Sequence, residues 1–264
     1  MNELLIITDH ADPTHVNEFA YQFALQNGKD ITIAQLQKTV HATSRQLVTI
    51  NKHLHYRQFS APFDGFEDAL EDVSSDIYMP RVTRIDASNF TESEMVAHIR
   101  KQEYSLVINT AKSSRLDLQL VLNQINCPLM LLPERPERNE VKRMVYLTDL
   151  RYCQSPVISN LSQLNDVNLL VAHICMHGLP DLVPSYGNQL FNDVFGKYKN
   201  RCNLLFTQVK EANMAKVIDT LINTMKADML VCMSRQFHFG QLFGNTLPKR
   251  LPANITVPVL IYPC

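Results

Sequence analysis

A few short segments of the chain hold residue types that bind metals or anions. His173-x-Cys175-x-His177 puts three soft ligands at alternate positions. Alternate residues of a strand share one face, so the three form a candidate zinc set, though without a visible fourth ligand. The plainer reading makes His173 an ordinary strand-end residue, with Cys175 and His177 opening the loop, and no metal is expected. Gly240, Gly244, Asn245 and Thr246 lie close enough in sequence to build a small anion-binding turn, because glycine lets backbone amides approach an anion. Lys112, Ser113, Ser114 and Arg115 precede an amphipathic stretch, where N-capping by either serine is a simpler role than phosphate binding. Asp9 and Asp149 each follow an apolar run, and a carboxylate there either caps the next turn or faces a ligand. There is no Gly-x-Ser-x-Gly, no His-Glu-x-x-His and no intact Walker sequence. Binding is therefore favoured over catalysis.

The frame that must position these residues is written twice. Leu4-Leu5-Ile6-Ile7-Thr8-Asp9 returns as Met144-Val145-Tyr146-Leu147-Thr148-Asp149. Cys127-Pro128-Leu129-Met130-Leu131-Leu132-Pro133 is echoed by Val257-Pro258-Val259-Leu260-Ile261-Tyr262-Pro263. A repeat of this length means two copies of one domain. In the first copy, strands are predicted at 3–8, 31–36, 81–86, 105–109 and 128–132, with helices at 13–26, 63–74, 92–102 and 116–125. Thr91 with Glu94 has capping-box spacing for the third of these helices. The second copy predicts strands at 143–148, 168–174, 203–209, 228–233 and 257–262. Its helices fall at 155–164, 188–199, 213–225 and, shorter, near 245–251. Alternating strand and helix, with strands apolar on both sides, gives an α/β fold of two doubly wound, Rossmann-like, five-stranded parallel-sheet domains. Ligands of such sheets sit at the carboxyl ends of the strands, at the switch point.

The expected boundaries are a first domain at 1–133, a linker at 134–141 and a second domain at 142–264. The linker is charged and bracketed by Pro133 and Pro136, which suits an exposed connector. Residues 38–62, with His41, His53, His55 and Tyr56, read as an exposed insertion. The 25 basic and 26 acidic residues are spread evenly, which argues against a nucleic-acid partner. No apolar run approaches a membrane span, so no membrane partner is expected. The six cysteines form no C-x-x-C pair and read as reduced thiols, which places the chain in the cytoplasm.

In this order, and twice over, these features resemble the universal stress protein family in its tandem form. The residues that carry the likeness are Asp9 and Asp149 after a first strand, His173 in a second strand, Met233-Ser234-Arg235 after a fourth, and the closing Val257-Pro258-Val259-Leu260-Ile261. The resemblance implies pairing of the two last strands, here within one chain as an intrachain pseudo-dimer, with a homodimer of such chains left open. It also implies a nucleotide site, with ATP as the candidate cofactor, formed by Thr148, Asp149, Met233, Ser234, Gly240, Gly244, Asn245 and Thr246. ATP-binding members carry Gly-x-x-Gly, nine further residues, then Gly-Ser or Gly-Thr. Here Ser234 and Phe237 replace the two glycines, and the stretch to Gly244 is too short. The first copy has no glycine at all in Asn109-Thr110-Ala111-Lys112-Ser113-Ser114-Arg115. Phe237, His238, Phe239, Leu242 and Phe243 then read as core filling the space of a lost nucleotide, with an apolar ligand pocket as the alternative. The expected function is a stress-response regulatory or binding protein with a degenerate nucleotide site. The alternative is an ATP-binding switch with slow hydrolysis in the second domain.

Overall fold

Runs such as Leu4–Ile7 and Met229–Val231 have no polar face to turn to water, so they belong inside a sheet covered on both sides. The computed structural model describes residues 3–9, 14–36, 78–110, 116–133, 139–148, 155–175, 183–211, 213–234, 237–244, 247 and 251–263, without the side chains of 14–17, 184, 237 and 238. The first half contributes β1 (Glu3–Thr8), α1 (Thr14–Asn27), β2 (Asp30–Gln35), β3 (Val82–Asp86), α2 (Glu92–Gln102), β4 (Leu106–Asn109), α3 (Leu118–Gln124) and β5 (Leu129–Leu131). The second contributes β6 (Arg143–Thr148), α4 (Ser155–Leu161), β7 (Asn168–Ile174), α5 (Pro184–Phe195), β8 (Asn203–Val209), α6 (Met214–Asp219), β9 (Met229–Met233), α7 (Phe237–Phe243) and β10 (Val259–Tyr262). The expected helix at 63–74, the insertion at 38–62 and linker residues 134–138 lie outside the described residues.

The strands form one ten-stranded sheet in the order β3-β2-β1-β4-β5-β10-β9-β6-β7-β8. Within each half every pairing is parallel, and the order reverses between β1 and β4 and again between β6 and β9. The halves meet through antiparallel pairing of the two last strands, with Leu129 opposite Ile261, Met130 opposite Leu260 and Leu131 opposite Val259. This is the pairing that the resemblance implies, and it closes an apolar edge that each half would otherwise expose.

Side chains alternate between the two faces, so each face carries its own core. Leu5, Ile7, Val107, Leu129, Val145, Leu230 and Ile261 pack on one face with α2, α3, α6 and α7. Leu4, Ile6, Met130, Tyr146, Val231 and Leu260 pack on the other with α1, α4 and α5. Each core runs across the β5–β10 junction, so the cores divide by face and not by half. Polar contacts add to the join: Gln26 Nε2 donates to the Val141 and Asn165 carbonyls at 2.9 Å, and Asn165 Nδ2 donates to the Gln26 carbonyl at 3.0 Å. Cys127, Cys175, Cys202 and Cys232 are free thiols, and Cys127 and Cys232 are buried in the core.

Local signals account for the helix ends. Thr91 and Glu94 make the full capping box at α2, and Asp117 caps α3 by accepting from the amides of Gln119 and Leu120. The helix expected at 188–199 starts earlier, because Pro184 fits the first turn, and it tightens into a 3-10 turn after Phe195. The helix expected at 213–225 changes to a π turn at Thr220–Thr224. Near 245–251, the described Leu247 and Leu251 are not helical, and the short helix lies earlier, at Phe237–Phe243. Among the described residues no helix is long and apolar enough to cross a membrane.

Met130 is fully buried at the centre of the junction. Met130→Ala is expected to lower stability by about 2–5 kcal/mol. Because both cores cross the junction, urea unfolding followed by circular dichroism and by tyrosine fluorescence should give one coincident transition in both proteins.

Candidate functional site

In a doubly wound sheet the switch point leaves a crevice at the carboxyl ends of the strands, and the polar residues of this chain gather there. In the first half Thr8, Asp9 and Asn109 are all buried at the ends of β1 and β4. Thr110 closes that end by donating from its amide and its hydroxyl to the Ile7 carbonyl, at 2.9 and 3.0 Å. Residues 111–115, with Lys112, Ser113, Ser114 and Arg115, lie outside the described residues.

In the second half Thr148 is buried at the end of β6, while Met233 and Ser234 are half-buried at the end of β9. The Ser234 amide donates to the Tyr262 carbonyl at 2.9 Å, which ties the turn after β9 to the end of β10. Asp149, Asn245 and Thr246 lie outside the described residues. Thus Thr148, Met233 and Ser234 meet at one strand edge, while Gly240 and Gly244 belong to the helix after it.

That helix gives both glycines roles that their spacing alone did not reveal. Gly240 is exposed inside α7, and a Cβ added there would meet nothing within 4 Å. Gly244 has φ 73° and donates its amide to the Gly240 carbonyl at 2.8 Å, the left-handed residue that ends a helix. Phe239 is buried and packs edge-on against Phe243, with ring centroids 5.3 Å apart. Leu242 and Phe243 pack against the same core. The aromatic segment is therefore core at the described positions, which was the favoured expectation.

The three soft ligands separate into two described and one not. His173 is buried at the end of β7, opposite Thr148, with its Nδ1 3.4 Å from Gln208 Nε2. Gly187 of α5 makes room for Gln208, since a Cβ there would stand 2.7 Å from that amide nitrogen. The Cys175 amide still donates to the Val209 carbonyl, so the strand pairing carries on past His173. His177 lies outside the described residues, and among those described no three His, Cys, Asp or Glu groups cluster to hold a metal.

Two substitutions separate these roles. Phe239→Ala is expected to cost about 3–5 kcal/mol in urea unfolding, as for a buried aromatic. Gly240→Ala is expected to stabilise by about 0.5–1 kcal/mol, because the site is helical, exposed and roomy.

No protein-family model matches the chain, and no curated protein matches it in sequence. Solved structures do match its fold. A universal stress protein from Archaeoglobus fulgidus DSM 4304 aligns over 99% of this chain and 96% of its own, with a TM-score of 0.54 at 14% identity. The cytoplasmic domain of a prokaryotic cation chloride cotransporter aligns over 98% of this chain and 94% of its own, with a TM-score of 0.52 at 8% identity. With two five-stranded halves joined through β5 and β10, the chain has the fold of a universal stress protein in tandem form.

Proposed function

We propose that the chain is a cytoplasmic stress-response regulatory or binding protein that acts without catalysis, built from domains at 1–133 and 142–264 joined by the linker 134–141. One observation carries this reading. Where a phosphate-binding loop would have to come after β9, the chain starts a helix at Phe237, commits Phe239 to the core and uses Gly244 to end that helix. A loop that cradles phosphate needs close backbone approach, which Phe237 in place of a glycine and a buried Phe239 work against, and the Gly244 amide is already taken by the Gly240 carbonyl.

A second reading has a specific observation in its favour. Thr148 and Ser234 end neighbouring strands at the switch point of the second half, and Asp149 is the next residue after Thr148. An ATP-binding switch with slow hydrolysis would use this edge, together with Met233, Gly240, Gly244, Asn245 and Thr246.

Titration calorimetry of the full chain with magnesium ATP tests both readings, with mass spectrometry of any co-purified nucleotide beside it. The expected outcome is no bound nucleotide and no saturable heat. Saturable binding that Asp149→Ala abolishes would establish the switch and overturn the first reading.

A further inference from the structure

The halves share one frame, so a cavity open in one and sealed in the other marks a place where they have diverged. Such a place lies where a helix turns into the fourth strand of each half. Glu103 and Lys226 occupy these turns with left-handed backbones, φ 53° and 57°, which fixes the alignment. Arg100 then corresponds to Asn223 and Ser105 to Asp228, while the closing motif with Pro128 and Pro258 matches Cys127 to Val257.

In the second half the space is about 60 Å³. Asp228 lines it and accepts from the Lys142 and Arg143 amides at 3.1 and 2.9 Å, while the Arg143 guanidinium donates to the Met225 carbonyl. In the first half Ser105 takes the place of Asp228 and donates its hydroxyl to the Glu3 carbonyl at 3.0 Å. There a cleft of about 500 Å³ opens, with one wall from the end of α4 and from β10. Small-molecule sites span roughly 300–1,000 Å³.

The lining has two characters. Leu4, Phe23, Leu106 and Leu260 make it apolar inside, while Lys29, Arg100 and Glu103 bring two cations and one carboxylate to it. Arg100 is held by its Nε, which donates to the Gln124 carbonyl at 2.6 Å. In the sealed half, Val167 and Asn223 stand where Lys29 and Arg100 stand here.

Tyr262 supplies an independent observation. Its side chain lines the cleft with the residue only 9% exposed, and its hydroxyl makes no hydrogen bond among the described residues. The matching residue of the first half is Leu132. The ring is buried while the hydroxyl keeps contact with the open cleft, where an acceptor on a ligand can pair with it. Burial raises the Tyr262 phenol above its usual range and pushes the Cys127 thiol up to about 11, so both stay protonated at neutral pH.

We propose that this cleft binds a small amphipathic anion, with an apolar or aromatic body against Phe23 and Leu260, an acid group toward Lys29 and Arg100, and an acceptor facing the Tyr262 hydroxyl. None of Thr148, Met233, Ser234, Gly240 or Gly244 lines it, so it is testable apart from the nucleotide question.

The test is fluorescence titration of the full chain with 8-anilinonaphthalene-1-sulfonate, an aromatic anion, and with the uncharged N-phenyl-1-naphthylamine. Circular dichroism keeps the folded fraction of each variant matched. Lys29→Val with Arg100→Asn copies the sealed half, and it is expected to weaken the anionic probe about tenfold while leaving the neutral one unchanged. Ser105→Asp copies Asp228 and is expected to remove both probes. Tyr262→Phe deletes the unpartnered hydroxyl and is expected to leave the melting temperature unchanged or raised. Absence of a saturable site for the anionic probe overturns the proposal, as does an affinity that the Lys29 and Arg100 substitutions leave unchanged.

Discussion

Antiparallel pairing of β5 with β10 spans three register positions, yet the remaining architecture depends on it. Each half is a sheet whose last strand is apolar on both faces, and such a strand left open would template association with other chains. Pairing the two edges satisfies their backbone groups and makes one surface of ten strands. The helices on each face then cover both halves at once. Leu129, Leu131, Val259 and Ile261 serve one core, while Met130, Leu260 and Tyr262 serve the other. The junction is thus the middle of both cores.

Once the junction fixes the halves together, each is relieved of the need to be complete at every position. The carboxyl ends of the strands show this first. Thr8 and Thr148 are both buried there, as is Asp9, so the polar floor is kept in both halves. The sequence after the fourth strand is not kept alike, and residues 109–115 of the first half hold no glycine. In the second half it turns into a helix that sends Phe239 into the core. An aromatic side chain gains about 1.5–3 kcal/mol from burial, and that gain holds the helix against the sheet.

Much of the fold is legible in the sequence because it rests on strong, local signals. The doubled strand motif, the apolar runs and the box formed by Thr91 and Glu94 each name one element unambiguously. Sequence spacing puts the helix at Phe237–Phe243 too late, near 245–251, for a physical reason. It is short and carries Gly240 inside it, so its apolar spacing is hard to tell from a loop with aromatic residues. Gly244 also fits two patterns, since a glycine that lets a backbone approach an anion and one that ends a helix look the same in sequence. The cleft beside Tyr262 is not legible at all. Its walls come from residues as far apart as Leu4 and Tyr262, and only the junction brings them together.

The turns between helix and strand show how much the frame decides. Gly28 and Asp166 stand at matched places after the first helix of each half, with φ 61° and 55°. Glu103 and Lys226 stand at matched places before the fourth strand, with φ 53° and 57°. Of the four, only Gly28 takes this conformation without steric cost, and the others give up about 1 kcal/mol each. The left-handed turn is therefore imposed by the need to bring each strand back into the parallel sheet, and side-chain identity is secondary to it. Backbone geometry held this firmly leaves the side chains around it free to differ. That freedom is what lets Ser105 and Asp228 stand on matching strand starts, one lining an open cleft and the other a narrow space.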